Sequence, residues 1–330
     1  MIDIFNLEPN KITTNLEGYS MIIMSEASGD GKTDSMKRML ESIATDGKKP
    51  LFIEFEDRYQ NIPNIVAVRV HNMGELNQVK SQLSSPKAHD LYSCVVLDTL
   101  DVLDSMIEKY VAVNREVEIT GDLNFGKGNK CIKNALWFID ELRQNGWTVH
   151  SICQSTRNEN IMTHEVTYDV ALNKETWRKV SQGAYLIGML TRDTKTQDRY
   201  VTFNKTAQYI KLKDTLGFPK KINVKDFKKE LEKAIKSIPN AEFTDENTIN
   251  KKQEKKDFND IITRGNELGS KLFEAGKIDE VYNIFRTHIG IENEETKQPK
   301  MLNALLPSQV DLAEVVVQLM QELCDKYSIQ

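Results

Sequence analysis

The sequence predicts an α/β protein in which helices flank a mainly parallel sheet, followed by a small C-terminal helical module. Short, uninterrupted apolar runs alternate with stretches of helical periodicity through the first two-thirds of the chain. Strands that are apolar on both faces are typical of parallel sheets, which helices cover on both sides. Beyond that region the helical periodicity continues, and the 330 residues exceed what one such domain needs.

The first predicted elements alternate between strand and helix. Strands are predicted at 21–24, 50–53, 65–70, 94–97 and 147–153, and helices at 34–43, 74–83, 100–110 and 129–144. After Gly183, shorter strands at 184–190, 199–203 and 208–212 predict a meander added to the edge of the sheet. A helix is predicted to follow at 224–238.

A polar segment divides the chain into three predicted parts. We expect a core at 1–238, a polar charged linker at 239–257 and a helical module at 258–330. The basic run KKQEKK at 251–256 leaves a DNA-binding tail open as an alternative to a solvated linker. Helices are predicted at 258–274, 278–285 and 308–327, and the apolar stripe of the last one serves a core or a partner contact.

Composition excludes several classes of protein. Hydrophobic residues make up 39%, charged residues 28%, and the formal charge is −5, which is ordinary for a soluble globular protein. No apolar run approaches the roughly 20 residues of a membrane helix, and the N-terminus lacks the basic start of a secretory signal. The scattered cysteines predict reduced, buried thiols rather than a disulfide or metal framework. We therefore expect a cytoplasmic protein without a membrane partner.

The segment EASGDGKT, which runs from Glu26 to Thr33, carries the most specific signal. It matches the phosphate-binding pattern G-x-x-x-x-G-K-[ST], except that Glu26 replaces the first glycine. The nucleotide-binding candidates are Ser28, Gly29, Asp30, Gly31, Lys32 and Thr33. In such loops the glycines let backbone N–H groups face phosphate oxygens, the lysine contacts the β- and γ-phosphates, and the threonine hydroxyl ligates Mg²⁺. Glu26 adds an acid to this segment, which either points outward or weakens nucleotide binding.

An aspartate ends the apolar strand that follows. Asp98 comes directly after Val95, Val96 and Leu97. A P-loop ATPase needs such a strand-end carboxylate to hold Mg²⁺ through its water shell. The alternative is a helix N-cap aspartate.

Three further sets of polar residues follow in order along the chain. Glu54 and Glu56 end the strand LFIEFE, Gln154 ends the predicted strand at 147–153, and Lys211 and Lys213 alternate late in the core. An amide at a strand end can accept from water and donate to phosphate. Each set has an alternative reading. The glutamates could be solvated acids, Gln154 an ordinary polar strand end, and the lysines a solvated face of one strand.

In this order the motifs resemble the RecA-like P-loop ATPases carried by bacteriophages, which are grouped with phage single-strand annealing proteins. The resemblance covers roughly residues 10 to 237 and implies ATP and Mg²⁺ as ligands. It implies that Glu56 polarises the attacking water, that Gln154 senses the γ-phosphate, and that Lys32 completes the catalytic set. It also implies that Lys211 and Lys213 reach the nucleotide of a neighbouring subunit, and hence a homo-oligomer.

The resemblance implies an ATPase that binds single-stranded DNA during phage recombination or replication, in the cytoplasm of an infected bacterium. Residues 155–180 would then form the DNA loop, with Tyr168 available for base stacking. The basic and aromatic candidates in it are Arg157, Lys174, Trp177, Arg178 and Lys179. An ordinary surface segment is the alternative reading.

Two other classes of function stay open. One is a nucleotide-dependent interaction protein, such as a replication loader or partition factor, with the C-terminal helices as its protein-binding part. The other is a small-molecule P-loop kinase, for which the sequence shows no arginine-rich lid segment.

Overall fold

The structure, a computed structural model, describes residues 16–27, 29–56, 59–123, 126–238, 258–306 and 309–329. The chain divides into two compact units, Met1–Asn250 and Lys251–Gln330. Ser28 and the whole predicted linker at 239–257 lie outside the described residues. No helix of the described ranges combines the length and the apolar character needed to span a bilayer.

Apolar strands form the centre of the first unit. The strands are β1 (Met21–Ser25), β2 (Lys49–Glu54), β3 (Val66–Arg69), β4 (Tyr92–Asp98), β5 (Val149–Ile152), β6 (Ser155–Glu159), β7 (Val166–Val170), β8 (Leu186–Arg192), β9 (Arg199–Thr202), β10 (Lys213–Asp214) and β11 (Ile222–Asn223). Nine of these described strands form one sheet in the order β11-β9-β8-β1-β5-β4-β2-β3, with β10 also paired to β8. All pairings from β8 to β3 are parallel, and β9, β10 and β11 pair antiparallel at the edge.

Helices cover both faces of this sheet. The helices of the first unit are α1 (Lys32–Ile43), α2 (Met73–Leu83), α3 (Pro86–Leu91), α4 (Leu100–Asn114), α5 (Lys127–Ala135), α6 (Trp137–Gln144), α7 (Lys174–Gln182) and α8 (Phe227–Lys236). Along β1, Ile22 and Met24 belong to one buried cluster while Met21 and Ile23 belong to the cluster on the opposite face. Both sets are buried because side chains alternate across a strand and each face has its own helices. The prediction of a mainly parallel sheet flanked by helices is confirmed.

Two predicted elements are wrong. Residues 208–212 form no strand, because the Thr206 hydroxyl accepts a hydrogen bond from the Tyr209 N–H at 3.0 Å and closes a turn. Only Lys213 and Asp214 then pair with β8. The single helix predicted at 129–144 is two helices, because the chain turns at the fully buried Leu136 between α5 and α6. The apolar periodicity continues through this turn and hides it from sequence.

The second unit is a helical module with its own core. It contains α9 (Phe258–Glu274), α10 (Ile278–His288), a hairpin of β12 (Ile291–Asn293) and β13 (Gln298–Pro299), and α11 (Val310–Lys326). Leu272, Val316 and Met320 are among its buried residues. A Cβ on Gly265 would overlap the side chains of Leu302 and Val317, so α9 and α11 approach closely there.

Candidate active site

The phosphate-binding segment joins the end of β1 to the start of α1. Gly29 and Gly31 have φ of +92° and +84°, the left-handed region that favours glycine. Asp30 Oδ2 accepts a hydrogen bond from the Ala27 N–H at 3.0 Å, which links the two residues across the segment. The first N–H groups of α1, which no intrahelical carbonyl accepts, therefore open onto the same space. This is the strand–loop–helix geometry that binds phosphate.

Lys32 is a buried cation at the base of this loop. Its residue is only 8% exposed, and its Nζ donates to Ser25 Oγ at 2.9 Å. Ser25 in turn donates to the Ala27 carbonyl at 2.7 Å. A buried ammonium group with one neutral partner offers its remaining donors to an anion, and a phosphate is a fitting anion.

Thr33 and Asp98 meet across the cleft. The Thr33 hydroxyl donates to Asp98 Oδ2 at 2.7 Å, and the Tyr59 hydroxyl donates to the same oxygen at 2.9 Å. Burial raises the pKa of Asp98 to about 6, although the hydrogen bonds from Thr33 and Tyr59 oppose that rise. Burial and the negative charge of Asp98 also raise the pKa of Tyr59, so its hydroxyl keeps its proton as the donor. Sequence reasoning missed Tyr59.

Two carboxylates end β2 but occupy different surroundings. Glu56 lines the cleft, and its Oε1 accepts a hydrogen bond from the Thr99 hydroxyl at 3.0 Å. Glu54 is buried, and its carboxylate lies 3.5 Å from Arg69 Nε on the neighbouring strand β3. Of these two acids, Glu56 is therefore the one that lines the cleft.

Gln154 lines the same cleft at the end of β5. Its backbone N–H donates to Asp101 Oδ2 at 2.8 Å. Burial raises the pKa of Asp101 to about 6, while the hydrogen bond from Gln154 opposes the rise. The next residue, Ser155, donates to the Ser25 carbonyl at 2.6 Å. Gln154 is thus held between the phosphate-binding segment and the first turn of α4.

The cleft formed by these residues has a volume of about 500 Å³. Its lining includes Gly29, Gly31, Lys32, Thr33, Asp34, Arg38, Glu56, Tyr59, Asp98, Thr99, Gln154 and Arg199. The Thr33 hydroxyl and Asp98 carboxylate are the hard oxygen donors that Mg²⁺ prefers, and the lysine and backbone N–H groups suit a polyphosphate. The residues present therefore fit a nucleotide with Mg²⁺. Ser28 was predicted with this set and lies outside the described residues.

Glu26 points away from the cleft. Its two carboxylate oxygens accept hydrogen bonds from Tyr168 on β7, at 3.0 Å, and from Tyr209. The rings of those tyrosines lie 5.4 Å apart. Of the two alternatives for Glu26, the outward orientation is the one observed.

The predicted DNA loop at 155–180 is a folded hairpin and a helix. β6 pairs antiparallel with β7, and α7 follows. Tyr168 is buried, and Trp177 is half-buried against the core. Arg157 pairs with Glu159 at 2.8 Å, Arg178 pairs with Glu175, and Lys179 pairs with Asp140, whereas Lys174 is exposed at the start of α7.

The two late lysines do not share a strand face, because residues 208–212 form a turn. Lys211 Nζ lies 3.6 Å from Asp169, and Lys213 Nζ donates to the Ala184 carbonyl at 2.5 Å. β10 pairs with Leu186 and Ile187, at the end of β8 opposite the phosphate-binding segment. Lys213 therefore lies far along the sheet from the cleft of its own subunit.

Arg199 is the cleft residue that sequence reasoning missed most clearly. It begins β9 and pairs with Asp34, 165 residues away in the chain. Its contact is purely tertiary, and no local motif marks it.

Comparison with known protein families identifies the class of the domain. A model of the AAA domain family matches residues 17–216. The chain belongs to this family of P-loop ATPase domains. The matched range includes every residue that lines the cleft, from Gly29 to Arg199.

Two similar proteins accompany the family match. The chain is 23% identical over 333 residues to the SPbeta prophage-derived uncharacterized protein YorG of Bacillus subtilis (strain 168), covering 94% of this chain and 98% of that protein. A solved KaiC-like protein from Pyrococcus horikoshii is 14% identical, with a TM-score of 0.32, over 60% of this chain and 87% of that chain.

Proposed function

We propose that this AAA domain protein binds ATP with Mg²⁺ at the phosphate-binding segment and hydrolyses ATP to ADP and phosphate. The observation that carries the proposal is the meeting of Thr33 and Asp98 at 2.7 Å in a cleft that Glu56 also lines. A bound Mg²⁺ supplies positive charge to the phosphates during hydrolysis.

Each catalytic candidate has a role that follows from its position. Lys32 and the loop N–H groups hold the phosphates and stabilise the charge that builds up on them. Thr33 and Asp98 hold Mg²⁺, Asp98 acting through water. Glu56 accepts the proton of the attacking water, and the Gln154 amide contacts the γ-phosphate and orients that water.

The test compares Glu56→Gln with Glu54→Gln. Glu56→Gln keeps the shape and removes the basic carboxylate, so ATP binding persists while turnover falls by about 10²–10⁴-fold. Glu54→Gln, at the last residue of β2 and two residues before Glu56, is the matched control. Wild-type turnover in Glu56→Gln together with loss in Glu54→Gln assigns the role to Glu54, and absence of ATP binding by the wild-type protein contradicts the proposal as a whole.

We further propose that the protein binds single-stranded DNA and uses ATP hydrolysis to act on it in phage recombination or replication. The prophage-derived relative supports a phage setting. The hairpin of β6 and β7 continues directly from Gln154. Binding of a DNA strand to this hairpin would therefore be coupled, through Gln154, to the γ-phosphate of ATP. Arg157 and Lys174 supply positive charge on this side, while Glu159, Glu165 and Asp169 oppose it.

A protein partner is the second candidate, and one observation favours it. Ile161 and Met162 at the tip of the hairpin are 86% and 90% exposed. Exposed apolar side chains beside acids suit a protein surface better than a phosphate backbone. Phe273 on α9 and Val315 on α11 are also exposed, and they would offer the protein partner a further apolar surface.

ATP turnover measured alone, with single-stranded DNA and with duplex DNA separates the two. Stimulation by single-stranded DNA that Arg157→Ala and Lys174→Ala abolish supports the DNA reading. If neither form of DNA changes the turnover, the protein partner is favoured. The double variant Ile161→Ser and Met162→Ser then tests whether the tip of the hairpin is the partner-binding surface.

We also propose a homo-oligomer in which Lys211 and Lys213 serve the neighbouring subunit. Activity per subunit then rises with protein concentration, and mixing Lys213→Ala with Lys32→Ala subunits restores part of it. Activity that stays constant on dilution to a proven monomer contradicts this role.

A further inference from the structure

Arg199 places a second cation on the phosphate-binding segment from within the same subunit. Its guanidinium pairs with Asp34 in the first turn of α1 and lies against Gly31. A Cβ on Gly31 would lie 2.5 Å from Arg199 Cζ, so the guanidinium lies directly against the backbone of the phosphate-binding segment. The side chain is 26% exposed and lines the cleft.

Asp34 does not cancel the positive charge at this position. Arg38 Nε also donates to Asp34 Oδ2, at 3.0 Å, so two guanidinium groups share one carboxylate. Partial burial alone would raise the pKa of Asp34, but the hydrogen bonds from Arg199 and Arg38 hold it below its ordinary value. The cluster of Arg199, Asp34 and Arg38 therefore keeps one net positive charge beside the first turn of α1.

The order of strands tells which part of a nucleotide Arg199 meets. β5, β4 and β2 lie on one side of β1 and deliver Gln154, Asp98 and Glu56. β8 and β9 lie on the other side of β1 and deliver Arg199. A hydrolysed phosphate beside Asp98 and Glu56, as proposed above, would have Arg199 on its opposite side, toward the phosphates closer to the ribose.

We propose that Arg199 is a nucleotide-binding residue that acts in its own subunit and contacts the phosphates that ATP and ADP share. Asp34 holds the guanidinium in place against Gly31, which limits the side-chain entropy lost on binding. This inference rests on the ATP binding proposed above. It adds a residue that recognises the nucleotide without taking part in hydrolysis.

The test measures the Kd of ATP and of ADP by calorimetry, in Mg²⁺, for the wild-type protein, Arg199→Gln, Arg199→Lys and Lys225→Gln. Lys225 is the matched control, because it pairs with Asp198 next to Arg199 on the outside of the unit, with its side chain 70% exposed. Arg199→Gln weakens both nucleotides about tenfold or more, since a charge-assisted hydrogen bond is lost. Arg199→Lys restores part of the affinity. In Arg199→Gln kcat/KM falls more than kcat at saturating ATP, and Lys225→Gln matches the wild-type protein in both.

Three outcomes overturn the inference. Affinities unchanged in Arg199→Gln remove the contact. A loss confined to ATP and accompanied by a fall in kcat moves Arg199 to the γ-phosphate. A lowered thermal unfolding temperature with no rescue by Arg199→Lys makes the residue structural. A wild-type protein that binds neither nucleotide contradicts the proposed function itself, which distinguishes the two failures.

Discussion

Lys32 donates a hydrogen bond to Ser25 at the base of the phosphate-binding segment. We expect its replacement to change the affinity for ATP without unfolding the protein. Lys32→Ala removes the buried charge that faces the loop, so we expect ATP affinity to fall by about 100-fold. The fold persists, because the hydrogen-bond partner that Lys32 leaves, the Ser25 hydroxyl, is neutral, and Asp98 keeps its hydrogen bonds from Thr33 and Tyr59. Calorimetry and thermal unfolding measure the two quantities. Lys37→Ala, which breaks the ion pair with Glu41 on the same helix, is the control, because Lys37 does not line the cleft.

His150 makes the protein sensitive to acid. It is fully buried in β5, its Nδ1 accepts the Met21 N–H at 3.1 Å, and burial lowers its pKa to about 3. In the unfolded chain it titrates near its ordinary value of about 6.5. As the pH falls below about 6.5, His150 is protonated in the unfolded chain but stays neutral in the folded protein. The free energy of unfolding then drops by up to ~1.4 kcal/mol per pH unit.

The variant His150→Asn tests this dependence. Asparagine keeps an acceptor for the Met21 N–H but does not titrate, so its stability should fall less between pH 7 and pH 5 in urea unfolding. Asp98 and Asp101 act with the opposite sign, because their raised pKa of about 6 gives stability that is present at low pH and lost as pH rises. They are common to both proteins, so the difference between the two slopes reports on His150. Equal slopes would show that His150 takes up its proton in the folded state.

At the scale of elements, Glu26 ties the phosphate-binding segment to the hairpin of β6 and β7. Glu26→Ala removes the acceptor of the Tyr168 and Tyr209 hydroxyls. We expect faster amide hydrogen exchange in β7, whereas ATP affinity changes less than about threefold because the carboxylate points away from the cleft. Glu159→Ala, which removes an exposed ion pair on the same hairpin, is the control. A strong gain in ATP affinity would mean that Glu26 repels the phosphates instead.

The elements also show what sequence reasoning can reach. Asp98, Glu56 and Gln154 could be placed in one cleft because each ends a parallel strand, and parallel strands end at one edge of the sheet. The phosphate-binding segment could be predicted because its glycines and lysine are local in sequence. These were predictions of position, and their chemical roles still need the experiments above.

Other features depend on contacts that no local pattern encodes. Arg199 reaches Asp34 across 165 residues, through a strand order that the sequence does not state. The segment 208–212 is rich in apolar residues, which favours a strand, yet Tyr209 contacts Glu26, Leu212 is buried in the core and Ile210 is 53% exposed. The two strands of the hairpin at 155–170 are mostly polar, so no apolar periodicity indicates them, and the loop expected there comes from the resemblance alone.

At the scale of the whole molecule, the two units have separate hydrophobic cores. The clusters on the two faces of the sheet draw their buried residues from the first unit, and the third cluster draws its own from α9, α10, α11 and the segments between them. A core of this kind lets each part of a chain fold as a unit. The family match ends at residue 216, so it includes none of the second unit.

We expect a chain ended after Ile238 to fold and to bind and hydrolyse ATP as the full chain does. All cleft residues and both clusters of the sheet lie before that point. As a matched variant, Leu272→Ala in the full chain truncates a fully buried side chain of the third cluster, at a cost of roughly 2–5 kcal/mol to the second unit. Calorimetric unfolding should show one transition lowered and the other unchanged, with ATP turnover intact. An insoluble truncated chain, or a loss of turnover in Leu272→Ala, would show that the terminal helices are needed to complete the ATPase core.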